Sequence, residues 1–325
     1  MRRREFIAGL GTAAAWPAVA QAQRSETPVV GFLSPGSPES DVARESAVRR
    51  GLAETGYVVG RNVTIEYRWA QGRYNQLPEL AADLVRSRVS VIVTVGVPGA
   101  IAAKAATSTV PIVFNIGVDP VAADLVASFG RPGGNMTGVA LLSVQLVPKR
   151  LELLHASVPT ARVVALLANS ANPVTDAETK ELDEGARALR LEQHVLLAST
   201  TSEIDAAFET LAQLRADALI VSVDPFFTNQ RSQIVEQAAR HRVPTIYGWG
   251  EFPAAGGLMS YGPSLTESYR QVGIYVGQIL GGGRPIDLPI QQVVNVELVI
   301  NLKTAKALGL TIPETQLATA DQVIE

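Results

Sequence analysis

Short runs of β-branched and aliphatic residues alternate with stretches whose apolar positions recur every three to four residues. Val29-Val30-Gly31-Phe32-Leu33 reads as a buried strand, followed by a helix over 39–54 that Gly56 closes. Strands are predicted over 63–67, 91–95 and 112–114, with helices over 77–85 and 98–106 between them. Near-continuous apolar strands separated by helices describe a parallel sheet covered on both faces. The alternation then restarts: strands over 163–167, 192–197, 219–223 and 245–247, and helices over 174–189, 204–214 and 226–240.

The two passes match in kind and order. Residues 29–33 correspond to 163–167, 91–93 to 219–221, and Val110-Pro111-Ile112-Val113-Phe114 to Val243-Pro244-Thr245-Ile246-Tyr247, at offsets of 134, 128 and 133. Three pairs at nearly one spacing predict two copies of one α/β plan, that is, two doubly wound parallel-sheet lobes. Past Tyr247 come a strand over 256–262, a long helix over 265–280 stopped by Gly281-Gly282-Gly283, a last strand over 293–302 and a short helix over 303–308. These leftovers fit neither copy and make sense if the chain returns to the first lobe and crosses back. The turn-rich stretch 130–138 stands where the first crossing is expected.

The amino terminus offers a choice. Gly9-Leu10-Gly11-Thr12-Ala13-Ala14 fits the glycine pattern of a dinucleotide site, but only Phe6-Ile7-Ala8 separate it from Arg2, Arg3, Arg4 and Glu5, too few for the strand that pattern needs. A basic start, an apolar run from Phe6 to Ala20 and the small-x-small ending Ala20-Gln21-Ala22 read instead as a signal peptide over 1–22, with Arg3-Arg4-Glu5-Phe6-Ile7 resembling a twin-arginine signal. Export from the cytoplasm is therefore expected.

Composition narrows the picture further. The chain of 325 residues is 47% hydrophobic and 18% charged, a globular balance, and the roughly 300 residues after the leader are enough for two domains. Formal charge is −3; without the leader's charges 25 basic and 30 acidic residues remain, and no basic stripe favours nucleic acid. The absence of cysteine removes thiol nucleophiles and cysteine metal sites.

In doubly wound sheets ligands bind beyond the carboxyl ends of the strands, where helix N-termini also point. The residues there are Ser34, Trp69, Gly96, Val97, Asn115 and Asp119 in the first pass, and Asn169, Asn172, Asp224, Phe226 and Tyr247 in the second, with Tyr261 in the expected hinge strand. Small polar residues and uncapped N–H groups suit an anion; aromatic side chains suit a planar or apolar body. Helix capping is the commoner role at such sites for Ser34 and Asn172, as starting a turn is for Asp119 and Asp224. Phe226 and Phe227 are adjacent on a helix, so one of the two should leave the core. His155, His194 and His241 lie away from the strand ends, and no hydrolase, zinc-protease or phosphate-loop motif follows residue 22. Only Asp119 and Asp224 could form a carboxylate pair across a cleft. No cofactor or metal is expected, and the site reads as one that holds a molecule without transforming it.

Several longer stretches carry a family resemblance: Glu66-Tyr67-Arg68-Trp69-Ala70-Gln71-Gly72-Arg73-Tyr74, 102–114, Arg131-Pro132-Gly133-Gly134-Asn135-Met136-Thr137-Gly138, Ala216-Asp217-Ala218-Leu219, 256–262 and 297–305. With them the chain resembles the substrate-binding components of bacterial ABC transporters with the type I periplasmic binding protein fold, in a branch described as tryptophan/tyrosine uptake-like. The resemblance implies two α/β lobes joined by three crossing strands with a ligand cleft between them. By that analogy the N-terminal lobe takes 24–140 plus 257–286 and the C-terminal lobe 141–256 plus 287–325. It also implies a small solute, plausibly an amino acid or related carboxylate, trapped by hinge closure, and permease subunits in the inner membrane as partners of a monomer. Two alternatives stay open: an exported hydrolase-like enzyme using Asp119 and Asp224, and a ligand-sensing subunit for a signalling partner.

Overall fold

The computed structural model describes residues 27–325, so the leader expected over 1–22 lies outside the described residues. The first pass runs β1 (Val29–Ser34), α1 (Pro38–Glu54), β2 (Thr64–Trp69), α2 (Leu77–Arg86), β3 (Val91–Val95), α3 (Gly96–Ala106), β4 (Ile112–Ile116) and β5 (Met136–Ala140). The second runs α4 (Val147–Ser157), β6 (Val163–Ala168), α5 (Thr175–Leu189), β7 (Glu192–Leu197), α6 (Thr201–Leu214), β8 (Ala218–Val221), α7 (Pro225–Asn229), α8 (Arg231–Arg240) and β9 (Thr245–Tyr247). The remainder is α9 (Glu251–Ala254), β10 (Met259–Pro263), α10 (Leu265–Leu280), β11 (Gln291–Gln292), β12 (Val296–Asn301), α11 (Leu302–Leu308), α12 (Glu314–Thr319) and β13 (Gln322–Ile324).

Two sheets result, ordered β2-β1-β3-β4-β5-β11 and β7-β6-β8-β9-β10-β12-β13. The second sheet opens as the first does, with its second strand outermost and its third and fourth following the first, which is the duplicated plan the offsets predict. Every pairing is parallel except β10 with β12. Local chemistry explains the helix starts. Ser37 and Ser40 form a capping box on α1, Thr200 and Glu203 another on α6, and prolines occupy the first turns of α1, α2, α4 and α7, where a missing N–H costs nothing.

Three expectations need correction. The turn-rich stretch 130–138 contains the start of β5, paired to β4 from Met136 onward, so the first crossing follows Ala140. The helix expected over 226–240 breaks at Gln230, where Arg231 Nη1 takes the Thr228 carbonyl and α7 ends. The strand expected over 256–262 is β10, and it hydrogen-bonds to β9 and β12 in the second sheet rather than belonging with the first lobe. The chain re-enters the first lobe only with α10, leaves it after β11 and resumes the second sheet at β12. The chain thus passes between the sheets three times, after β5, β10 and β11. Periodicity locates a strand but does not say which neighbour completes its ladder.

Helix α10 is held to the first lobe by backbone approach. A methyl group on Gly273 would lie 2.2 Å from the Val48 carbonyl oxygen, and one on Gly51 would lie 1.9 Å from that of Arg270. These glycines let α1 and α10 pack closely, so the chain's second arrival in the lobe is anchored where it lands.

Candidate functional site

The carboxyl ends of β1, β3 and β4 face those of β6, β8 and β9, and a cavity lies between them. It holds about 520 Å³ of atom-free space with its mouth counted. The first lobe contributes Gly96 and Val97 at the N-terminus of α3, Asn115 at the end of β4 and Arg44 from α1. The second contributes Asn172, Asp224, Thr228 and Trp249, with Val174, Val223 and Pro225 as apolar wall. Leu141 and Ser143, at the first crossing, and Leu265 and Tyr269, on α10, also line it.

Gly96 has φ +69°, a left-handed conformation that turns β3 sharply into α3 and leaves no Cβ where the Pro225 ring of the other lobe approaches, within 3.1 Å of where one would stand. The first N–H groups of α3 have no side-chain cap.

Asp224 is a hub. Its carboxylate accepts from Tyr74 Oη at 3.0 Å, Asn172 Nδ2 at 2.7 Å, Asn169 Nδ2 at 3.2 Å and the backbone N–H groups of Phe226 and Phe227 at 2.7 and 3.2 Å. The last two bonds cap α7. Tyr74 belongs to the first lobe, so the bond to Asp224 ties the lobes together, and the same hydroxyl accepts from Phe226 N–H at 3.1 Å. Burial and the charge of Asp224 hold the Tyr74 hydroxyl well above its usual range, which keeps it a proton donor. Two further contacts join the lobes nearby: Ser37 Oγ donates to Asn229 Oδ1 at 2.8 Å, and the Phe226 ring lies against Gly72.

Arg44 lines the cavity with its charge already answered. Its Nη1 donates to Asp41 Oδ1 and the Ser40 carbonyl, both at 2.9 Å, its Nη2 lies 3.6 Å from Glu251 Oε2 across the gap, and its guanidinium stands 5.9 Å from the Tyr269 ring centroid. Burial opposes its charge, but Glu251 and Asp41 outweigh that and raise its pKa above the usual value. Deeper in the second lobe Arg150 is fully buried; burial lowers its pKa to about 10, which leaves it charged at neutral pH. Arg150 Nε donates to the Tyr261 carbonyl on β10 at 2.8 Å. Glu178, also fully buried, accepts from Ser222 Oγ and, at 3.1 Å, from Val223 N–H, just before Asp224.

Of the residues singled out from sequence, the structure brings Gly96, Val97, Asn115, Asn172 and Asp224 to the cavity. Three sit just behind it: Ser34 accepts from Gly36 N–H, Asn169 holds Asp224, and Phe226 is buried between the lobes while Phe227 fills the core. Four turn elsewhere. Trp69 stacks on Tyr67, two residues back on the same face of edge strand β2, with centroids 4.8 Å apart. Asp119 spends Oδ1 on the N–H groups of Val121 and Ala122. Tyr247 is buried against Phe252, and Tyr261 packs in the second lobe's core. Asp119 does not line the cavity, so it forms no carboxylate pair there with Asp224. Among the described residues no group of acidic and histidine side chains is placed to hold a metal, and no helix is long and apolar enough to cross a membrane.

Sequence reasoning missed Arg44 and Tyr269 at the cavity and Tyr74, Arg150 and Glu178 behind it, and placed Trp249 at a strand end without singling it out. A signal existed for the three charged residues. Each lies on the apolar stripe of its helix: Arg44 with Ala47, Val48 and Gly51, Arg150 with Val147, Leu151 and Leu154, Glu178 with Leu182 and Ala186. A charge on a core-facing stripe must find partners, so it marks a place where the interior is polar.

Comparison with known proteins gives one consistent picture. A family model described as ABC transporter substrate binding protein matches residues 7–324. A tyrosine-binding protein of Clostridioides difficile (strain R20291) is 27% identical over 274 residues, covering 84% of this chain and 78% of the relative. Among solved structures, an ABC domain from Streptococcus pneumonia in complex with L-Trp is 26% identical, with a TM-score of 0.83 over 92% of this chain and 100% of that one. The ligand-free, open structure of a Clostridium difficile substrate binding protein with adhesive properties is 23% identical, with a TM-score of 0.63 over 91% and 99% of the two chains.

Proposed function

Because this chain belongs to the ABC transporter substrate-binding proteins, a family of solute-binding proteins and not of enzymes, we propose that it is an exported receptor for a free amino acid with an aromatic side chain. The observation that carries this reading is the cavity between the strand ends of the two lobes. Uncapped N–H groups of α3 and the amide of Asn115 stand on the first lobe's side of it, with Tyr269 and Trp249 at its walls. A polar head and an aromatic body suit those two kinds of surface. The relatives that bind tyrosine and tryptophan support the same ligand class.

The lobes act as the two halves of a hinge. Open, they expose the cavity; closed, they bury the ligand and form the Tyr74–Asp224 and Ser37–Asn229 bonds. The closed form, a monomer in the periplasm, delivers its ligand to a permease in the inner membrane.

Thermal unfolding of the purified protein against a panel of the twenty amino acids and their simple carboxylate analogues tests the ligand class. Tyrosine, tryptophan or phenylalanine is expected to raise the melting temperature in proportion to the logarithm of its concentration. A panel in which only non-aromatic solutes shift the transition contradicts it.

A further inference from the structure

Among the described side chains lining the cavity, Asn115 alone holds a buried polar atom with no partner, its Oδ1. The orientation of this amide is fixed. Asn115 Nδ2 donates to Ser268 Oγ at 2.9 Å, and the Ser268 hydroxyl gives its single proton to the Leu265 carbonyl at 2.9 Å. Ser268 can therefore only accept from Asn115, and a reversed amide would set two acceptors against each other. The nitrogen is committed to α10, and the oxygen is left wanting a donor. A buried carbonyl without a donor is costly, so whatever fills the cavity is selected for an N–H or O–H at this point.

The strand register supplies the second half. Val95 pairs with Asn115 across β3 and β4, so Asn115 stands one strand over from the start of α3, on a backbone spaced about 4.8 Å away in a parallel sheet. The uncapped N–H groups there, at Gly96 and Val97, line the same cavity and call for an anion. A ligand spanning both points needs an anion and a donor a few ångströms apart, which is what the carboxylate and ammonium on one α-carbon provide. Asp224 is no rival for the ammonium: five donors already occupy its carboxylate. A zwitterion of no net charge also suits a cavity whose two charged side chains, Arg44 and Asp224, are each answered within the protein.

We propose that Asn115 Oδ1 accepts the α-ammonium of the ligand and that the N-terminus of α3 takes its carboxylate, with Ser268 as the positioning residue that aims the amide. This rests on the receptor reading above and assigns its polar recognition to the first lobe.

Calorimetric titration with L-tryptophan and with indole-3-propionate, which lacks only the amine, tests it; L-tyrosine and 3-(4-hydroxyphenyl)propionate form a second pair. The wild-type protein is expected to prefer the amino acid by on the order of 10- to 100-fold. Asn115→Leu should abolish that preference by weakening the amino acid to the level of its deaminated analogue, whose own affinity stays within about threefold. Ser268→Ala keeps the acceptor but frees the amide to turn, so a smaller loss of the same sign is expected even if Asn115→Leu does not fold. A preference for the amine that survives undiminished in Ser268→Ala and in any folded Asn115→Leu overturns the subsite and leaves the receptor reading standing. Wild-type protein that binds neither member of either pair removes both.

Discussion

Tyr74 has one proton to give, and in this fold it goes to a carboxylate on the other lobe. Removing it with Tyr74→Phe should leave the cavity lining intact and weaken closure. A hydrogen bond to a charged group is worth about 1.5–3 kcal/mol, so an affinity loss of roughly 10- to 100-fold is expected, carried by faster ligand dissociation in stopped-flow measurements. Unchanged dissociation would mean that the bond does not hold the lobes. Asp224 gives a pH signature. Burial pushes its carboxyl above the ordinary range, against the lowering effect of Asn172, Asn169 and Tyr74. A carboxyl whose folded pKa is raised binds its proton more tightly in the folded state. Its contribution to stability is fully present below the unfolded value, about 3.9, and is lost as pH rises through the folded value. Calorimetry of wild type and Asp224→Asn should therefore show the wild type gaining stability relative to the variant as pH falls from 7 toward 4. Exposed carboxyls with lowered values, such as Asp83 and Glu203, are common to both proteins and cancel. The opposite trend would show that the hydrogen bonds outweigh burial.

At the scale of elements, α10 carries the greatest structural demand, because it must dock in a lobe the chain has already left. Gly273→Ala sets a methyl group against the Val48 carbonyl and should cost about 2–4 kcal/mol in chemical denaturation, where a surface-facing helix substitution of glycine by alanine would stabilise. A neutral or stabilising result would mean that α1 and α10 can separate without loss. Strands β1, β3, β6 and β8 were legible because nearly every residue in them is apolar, many of them β-branched. Strand β5 was hidden in Met136-Thr137-Gly138-Val139-Ala140, whose glycine and threonine read as a turn, and β11 has only two residues. The site divides the same way. Gly96, Asn115, Asn172 and Asp224 could be found by position, because residues after parallel strands gather at one edge. Trp69 and Tyr247 share that position but point into aromatic stacks, and which way a side chain turns after a strand depends on neighbours that local pattern does not show. Tyr74 was beyond reach, since its partner lies 150 positions away.

For the whole molecule the account is a division of labour. The first lobe offers unspent hydrogen-bonding groups, and the second, whose polar residues at the gap are largely satisfied by one another, offers walls and a carboxylate for the first lobe to grip. Duplication explains why both lobes aim strand ends at one gap, and three passages of the chain between the sheets hold them together. The central claim is that this gap binds one aromatic amino acid. Isothermal titration of the wild-type protein with L-tryptophan and L-tyrosine tests it most directly. The account predicts saturable binding of at least one of them at one molecule per chain, with a dissociation constant of about 10 μM or tighter and a negative heat-capacity change from buried apolar surface. Titrations that show no saturable heat for either amino acid up to about 1 mM, about 2.7 kcal/mol weaker than the 10 μM limit, would contradict it.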